Sequence, residues 1–524
     1  MRVYSLLAVA AAIATLVLAG GEDSSSLPTI TLDYSTIQAV GGNTTVGYYK
    51  FQNIRYAKAP TGGLRFAAPQ WPDVETDINT GNLADTDVDC ASSEDCLFLD
   101  VWAPVDAVGR NLPVLVYNYG GRFKLGSKSV NTPEGLFELS TDFIYVAYNY
   151  RLGLTGVATG PTYQHEGGVS NLAVRDATHA FEWVQKYIGK FGGNPNDVTA
   201  VGFSAGGSQI GFQMTRFGGN APQLFQKAYI MSPGYLPSAG HHQAEQFWQN
   251  VSTAVGCEGG HLDCMRKVPF GTLANATTKI VNAYSYTLQP RVDGFILSNT
   301  YEASVYQGHF NFSGPCVLTH EQHEYNTVAY TGVESEEDIV TTLRVLFPAI
   351  TDDVIEELLE LYPAADYASA GLRFNDMQQS AQVTSKNLGL TYALGNQTWN
   401  GEVGISPAKH GTDQSYYFYS TYTLSIPTND STATLTSEAS ALTALASSIT
   451  SPVDTTIARQ MQKYLLSFVI TGNPNSVWLD DKPYWPQYNE SSDGAELVFN
   501  DSITVVADDL ANEKGLYWNK ALWY

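Results

Sequence analysis

The sequence predicts an α/β fold, a large and mostly parallel central sheet flanked by helices, and three adjoining features carry that expectation. Between Asn171 and Phe191, apolar residues recur at helical spacing, at Ala177, Ala180, Phe181, Val184 and Ile188, so one face of a helix is prepared for a core. The run FGGNPNDV then ends that helix with glycine, proline and asparagine. Val198 to Phe203 alternates and branches like a strand and opens into SAGG. There Gly202 and Gly206 permit a sharp strand-to-helix turn that leaves Ser204 at its tip. Helix, turn, strand and helix in this order are the repeating unit of a doubly wound sheet.

The remaining elements follow in chain order. A basic start at Arg2, an apolar run from Leu6 to Ala19 and small residues up to Gly21 precede the polar GEDSSS. This reads as a signal peptide over residues 1–20, because the run is too short for a membrane span and no second one follows. Residues 21–524 are expected to form a single domain. With 524 residues and 44% apolar content the chain supplies one large core, and no composition shift divides it. LPVLVYNYGGRF, Leu112 to Phe123, reads as a strand running into a glycine-rich loop. Cys316 to Tyr325 (CVLTHEQHEY) reads as a strand running into a polar loop. Trp399 to Glu402 reads as a turn ahead of SPAKHGTDQSYYFY, which carries His410. The Ser/Thr-rich stretch Thr421 to Thr456 reads as loops around a short helix without a function of its own.

Lys plus Arg total 28 against 52 Asp plus Glu, a formal charge of −24, which argues against nucleic acid or an anionic membrane as partner. Eight N-x-S/T sequons, at Asn43, Asn250, Asn275, Asn311, Asn396, Asn429, Asn489 and Asn500, are glycosylation candidates consistent with the secretory route. Five cysteines allow two disulfides with one thiol left over. Cys90 with Cys96 and Cys257 with Cys264 are close in sequence, and each would close a small loop that stabilises by about 2 to 2.5 kcal/mol. Cys316, in the apolar GPCVL, is expected as a buried free thiol.

The Ser204 turn has the G-x-S-x-G form of a nucleophile elbow. A serine hydroxyl attacks only when a histidine takes its proton and an acid orients that histidine. In α/β-hydrolases the acid and then the histidine follow the serine along the chain. Of nine histidines, His410 follows both the elbow and an acidic loop, and Gly411 lets its loop fold back over the sheet. On position alone it reads equally as a surface histidine. Glu321 and Glu324 both stand in the loop after the Cys316 strand, and either could reach it. His320 and His323 share that loop and have the chemistry of metal ligands. No cysteine, aspartate or further histidine stands at ligand spacing beside them, so no metal is expected. Gly120 and Gly121 supply the kind of loop whose N–H groups face a developing oxyanion.

Together these features resemble the type-B carboxylesterase and lipase family, the cholinesterase-like α/β-hydrolases, and most nearly its secreted fungal members. The resemblance spans almost all of the mature chain. It rests on FQNIRYAKAPTGGLRF (Phe51 to Phe66), SEDCLFLDVWAP (Ser93 to Pro104), NYRLGLTG (Asn149 to Gly156), the elbow, RVDGFIL (Arg291 to Leu297), AKHGTD (Ala408 to Asp413) and TGNPN (Thr471 to Asn475). It implies an α/β-hydrolase fold and a secreted serine esterase with Ser204 as nucleophile, His410 as base and Glu324 as acid. The implied oxyanion hole is built from Gly121, Arg122 and Ala205. No cofactor is implied, and the implied partner is a small-molecule ester. Ion pairs Arg65 with Glu94 and Arg151 with Asp176 are implied as braces of the surrounding loops.

Three departures from the family pattern stand out. Phe203 fills the place of the usual glutamate before the serine, Tyr325 that of the glycine after the acid, and Arg122 that of the third glycine of the oxyanion loop. Hydrolysis should survive the first, while cationic alcohol groups become less favoured. The N–H persists at Arg122, so the hole forms if the backbone there does not demand a positive φ. The guanidinium either enters the pocket to meet an anionic substrate group or points outward to pack or pair. In the family's interfacial lipases the loop closed by the cysteine of EDCL is long and covers the site. Here five residues separate Cys90 from Cys96, so an open pocket and activity on soluble or short-acyl esters are expected. A specialised esterase or acyl transferase of a secondary-metabolite pathway, and a catalytically weak binding protein of cholinesterase-like fold, are the alternatives. Oligomeric state is not legible in the chain.

Overall fold

The computed structural model describes residues 27–81, 87–236, 240–284, 286–420 and 452–520. The expected signal peptide, the sequon at Asn429 and most of the Ser/Thr-rich stretch lie outside the described residues. The strands are β1 (Thr29–Thr31), β2 (Thr36–Gln38), β3 (Gly41–Asn43), β4 (Tyr48–Arg55), β5 (Ile78–Asn79), β6 (Phe98–Pro104) and β7 (Leu112–Asn118). They continue with β8 (Ile144–Tyr148), β9 (Gly193–Phe203), β10 (Lys227–Met231), β11 (Cys316–Glu321), β12 (Trp399–Val403), β13 (Ala495–Phe499) and β14 (Ile503–Ala507). Strands β1, β2 and β5 form a small separate sheet. The other eleven form one sheet in the order β14-β13-β12-β11-β10-β9-β7-β8-β6-β4-β3.

From β13 across to β8 neighbouring strands run parallel, and antiparallel pairs close both edges. Parallel strands are joined by crossovers whose helices cover both faces, which requires near-continuous burial. Accordingly, every residue of β6, β8, β10, β11 and β12 is buried. The helix Leu172–Tyr187 turns Ala177, Ala180, Phe181 and Val184 into the core. The helix Ala205–Thr215 is buried along its whole length. A second apolar cluster joins helices Glu336–Leu346, Asp352–Leu361 and Ala370–Gln379 through Ile339, Leu343, Leu358 and Phe374, and this group forms part of the rim above the sheet.

Two local expectations are corrected. The helix stops at Tyr187 and tightens into a 3₁₀ turn over Ile188–Phe191. The next strand begins at Gly193, although its regular pairing with β7 starts only at Val198, after a register shift. Trp399 to Glu402 is not a turn but most of β12, wholly buried between β11 and β13. Its Asn, Gly and Glu are poor strand formers, and pairing on both sides overrides that preference. Gly401 is needed there because a Cβ would lie 2.9 Å from the Trp485 indole.

Both expected disulfides are formed, Cys90–Cys96 and Cys257–Cys264. Cys316 is a buried free thiol whose pKa burial pushes well up. Arg65 pairs with Glu94, and Arg151 grips Asp176 with two bonds of 2.7 and 2.6 Å. Among the sequons, Asn43, Asn275, Asn311, Asn489 and Asn500 are exposed, while Asn250 and Asn396 are half-buried.

Candidate active site

The loops that leave the carboxyl ends of β7, β9, β11 and β12 converge above the sheet, as parallel α/β architecture directs. Ser204 sits at the end of β9 with φ 55° and ψ −123°, a conformation disfavoured for any residue with a side chain. The neighbouring glycines make it attainable. A Cβ on Gly202 would lie 2.5 Å from the Gly206 carbonyl oxygen, and one on Gly206 1.9 Å from that of Asn118. The turn therefore packs directly on the end of β7.

Ser204 Oγ lies 2.7 Å from His410 Nε2, and His410 Nδ1 lies 2.5 Å from Glu324 Oε2. The Glu324 side chain is fully buried and the imidazole nearly so. Glu324 Oε1 accepts the Glu321 N–H at 2.9 Å, so each oxygen of the carboxyl group has a partner. Glu321, the other acidic residue of the loop, turns away from the histidine and accepts the Asp413 N–H at 2.9 Å.

Glu321 and Asp413 form a buried carboxyl pair behind the triad-like line. Burial, then Asp413 and Glu324, hold Glu321 well above the usual carboxylate range. Burial pushes Asp413 up to about 6, against hydrogen bonds from Gln414 and Glu321. Glu321 Oε2 and Asp413 Oδ2 are both left without a donor. A single proton shared between the two carboxyls satisfies both.

On the other side of Ser204 the main chain presents unpaired donors. Among the described residues, the N–H groups of Gly121, Arg122 and Ala205 donate no hydrogen bond, and Ala205 opens the helix whose positive end faces the serine. Contrary to the condition expected from the sequence, a positive φ is demanded at Arg122, which sits at 57°, followed by Phe123 at 56°; the arginine adopts this strained conformation and its N–H is still left without an acceptor among the described residues. Phe123 is buried and packs near Tyr150 and Phe212. Arg122 is exposed and makes no hydrogen bond or ion pair with any described residue. It lines the cleft above Ser204.

That cleft has a volume of about 730 Å³. Its walls include Tyr286 and Leu288, Tyr325 and Tyr330, and Gln378. Residues 90–96 do not line it. Lys409 also lines it, exposed and with no described partner for its ammonium group. Glu324 is the acidic residue among its lining.

Reading along the chain does not foresee that Phe203 and Tyr325 meet at the same place. Their rings flank the His410 imidazole with centroids 4.8 and 5.2 Å away. Two residues 122 positions apart therefore pack against the same imidazole. His320 and His323 separate: the His323 N–H bonds to Ala408 O at 2.8 Å, whereas the His320 ring meets Glu496 and Asp509.

Residues 28–518 match the carboxylesterase family. The chain is 27% identical to carboxylesterase patB of Penicillium expansum, with 95% of this chain and 96% of that protein covered. It is 27% identical to a secreted lipase of Arthroderma benhamiae, covering 74% of this chain and 73% of that one. Among solved structures, EstA of Aspergillus niger superposes with a TM-score of 0.77 at 22% identity, over 94% of this chain and 98% of that one. At that identity the likeness speaks for the shared fold.

Proposed function

The chain belongs to the carboxylesterase family and is a carboxylic ester hydrolase, and from that premise we propose that it works through an acyl-enzyme on Ser204, with His410 as general base and Glu324 as the acid that orients it. The observation that carries this reading is the unbroken line Ser204 Oγ, His410 Nε2, His410 Nδ1, Glu324 Oε2, with spacings of 2.7 and 2.5 Å. His410 takes the hydroxyl proton as the oxygen attacks the ester carbonyl, then hands it to the leaving alcohol. Water repeats the relay in reverse and frees the acid. Glu324 stabilises the imidazolium formed in each half, and the N–H groups of Gly121, Arg122 and Ala205 receive the oxyanion.

The substrate is a soluble or short-acyl ester. The short Cys90–Cys96 loop lies away from the cleft, which supports access without an interface. Arg122 and Lys409 are cations without described partners at a cleft whose acidic residue, Glu324, is engaged with His410. This supports a preference for esters that also carry an ionised group, such as a half-ester of a dicarboxylic acid. The disulfides and exposed sequons support secretion, as do relatives named secreted lipases.

Hydrolysis of a p-nitrophenyl ester series beside the Ser204→Ala variant tests the mechanism. Turnover falls by about 10⁶-fold in the variant and is highest on short acyl chains in the parent. A jump in rate only above the solubility limit of a triglyceride would reject the soluble-ester part. The ratio of kcat/KM for a half-ester to that for its neutral methyl ester tests the charge preference. It exceeds one in the parent and drops about tenfold in Arg122→Asn, whose asparagine tolerates the positive φ.

A further inference from the structure

Consecutive residues of a strand point to opposite faces of its sheet, so the neighbour of Glu321 on β11 belongs to a different environment. His320 stands directly beside Glu402 in the β11–β12 register. Glu402 stands beside Val498 of β13, and Glu496, two residues earlier, shares that face. Asp509 arrives from the segment after β14. One ligand atom from each of His320, Glu402, Glu496 and Asp509 lies within 4.8 Å of all the others.

His320, Glu402 and Glu496 are 3%, 7% and 1% exposed, yet their polar atoms are poorly served. Both carboxylate oxygens of Glu496 and Oε1 of Glu402 have no hydrogen-bond partner. His320 Nδ1 stands 3.5 Å from Glu496 and its Nε2 4.0 Å from Asp509. Among the described residues no lysine or arginine pairs with the three carboxylates. Buried carboxylates are otherwise held by donors, cations or protons.

We propose that His320, Glu402, Glu496 and Asp509 bind a divalent metal ion of the zinc or manganese type that ties together β11, β12 and the β13–β14 edge. One imidazole with three carboxylates is the mixed nitrogen and oxygen set those ions accept, whereas calcium and magnesium favour oxygen alone. Ligand atoms about 2.1 Å from a tetrahedral ion stand about 3.4 Å apart, so each atom moves inward by less than about 1 Å. Exposed Asp509 gives the ion its path from solvent. The ion acts at a distance from the ester. The loops that carry Glu324 and His410 leave the strands it joins, and they are stitched by Gln322 N–H to Val403 O at 3.1 Å and His323 N–H to Ala408 O at 2.8 Å. The sequence predicts no metal because its ligands come from separate strands rather than from one spaced motif.

The test uses the full secreted chain without a histidine tag, stripped with chelator and dialysed against Zn²⁺, Mn²⁺ or Ca²⁺, with bound metal and Tm read in parallel. The expected result is one Zn²⁺ or Mn²⁺ per chain and a Tm raised by a few degrees at a hundredfold excess over Kd. Affinity should fall at least a hundredfold in Glu496→Gln. Should that variant misfold, Asp509→Asn at the exposed rim weakens binding at least tenfold in a chain whose core is untouched. No bound metal with an unmoved Tm would overturn the proposal in favour of a cluster neutralised by protons. Equal binding by a folded variant would move the metal elsewhere, and a preference for Ca²⁺ would overturn the assigned class.

Discussion

Glu321 and His320 are neighbours on β11, but the carboxyl groups around them are treated in opposite ways. On the Glu321 side the chain provides for each acid: Glu324 receives His410 on one oxygen and a backbone N–H on the other, and Glu321 with Asp413 can share a proton. On the His320 side, Glu402 and Glu496 are also buried, and Glu402 Oε1 and both Glu496 oxygens are left without a hydrogen-bond partner. The contrast separates two uses of a buried carboxylate. One that faces the histidine is surrounded by donors that the fold holds in place. One that lacks donors is completed by something from outside the chain.

That difference can be broken by exchanging one atom on each side. Glu324→Gln keeps the shape but supports the wrong imidazole tautomer, and kcat should fall about 10⁴-fold with little change in Tm, as measured by ester turnover and thermal unfolding. Glu496→Gln should change kcat by less than about tenfold while altering the response of Tm to metal. Equal losses of kcat in the two variants would erase the distinction.

The oxyanion loop comes next in size. A Cβ at Gly121, where φ is 121°, would lie 2.1 Å from the Leu125 carbonyl oxygen, so Gly121→Ala must shift the loop. Turnover should drop about 10²- to 10³-fold with KM moved less, and an unaltered kcat would remove this loop from the oxyanion site.

The Asp413 carboxyl predicts a pH signature. Because the folded pKa of Asp413 is raised to about 6, the folded chain keeps a proton that the unfolded chain releases from about pH 4 upward. Stability from this group is therefore present below pH 4 and lost as pH rises through 6. Asp413→Asn should gain on the parent by about 2 kcal/mol between pH 4 and pH 7 in denaturant titrations. A difference that does not change with pH would mean that the pair holds no such proton.

The smallest effect concerns the rings beside His410. Tyr325→Gly restores the usual family residue and opens the imidazole to water, and kcat should fall about tenfold. Tyr325→Phe should keep nearly full activity, because the ring face is what covers the base. If the phenylalanine variant is as slow as the glycine one, the hydroxyl has a part in the chemistry.

Local pattern made a good part of this protein legible. The helix over Leu172–Tyr187, strands β7 and β11 and the turn at Ser204 are written in spacing, branching and glycine placement, which act over a few residues. Strand β12 was not legible, because Trp399 to Glu402 becomes a strand only through its neighbours. The choice between Glu321 and Glu324 also stayed open from local chemistry, since both are loop carboxylates three residues apart. The geometry separates them by which one faces an imidazole 86 positions away.

What the sequence determined by itself was the fold class, the family, the turn that strains Ser204, and the order in which serine, acid and histidine occur. These follow from sterics and periodicity along one stretch of chain. Tertiary structure alone decided that Phe203 and Tyr325 share His410, that Arg122 occupies a left-handed conformation facing the cleft, that Asp413 pairs with Glu321, and that His320 meets three carboxylates. Each of these is a contact between segments far apart in sequence. Such contacts depend on strand register and on which face a side chain takes, and one residue of register is enough to exchange the two faces of β11.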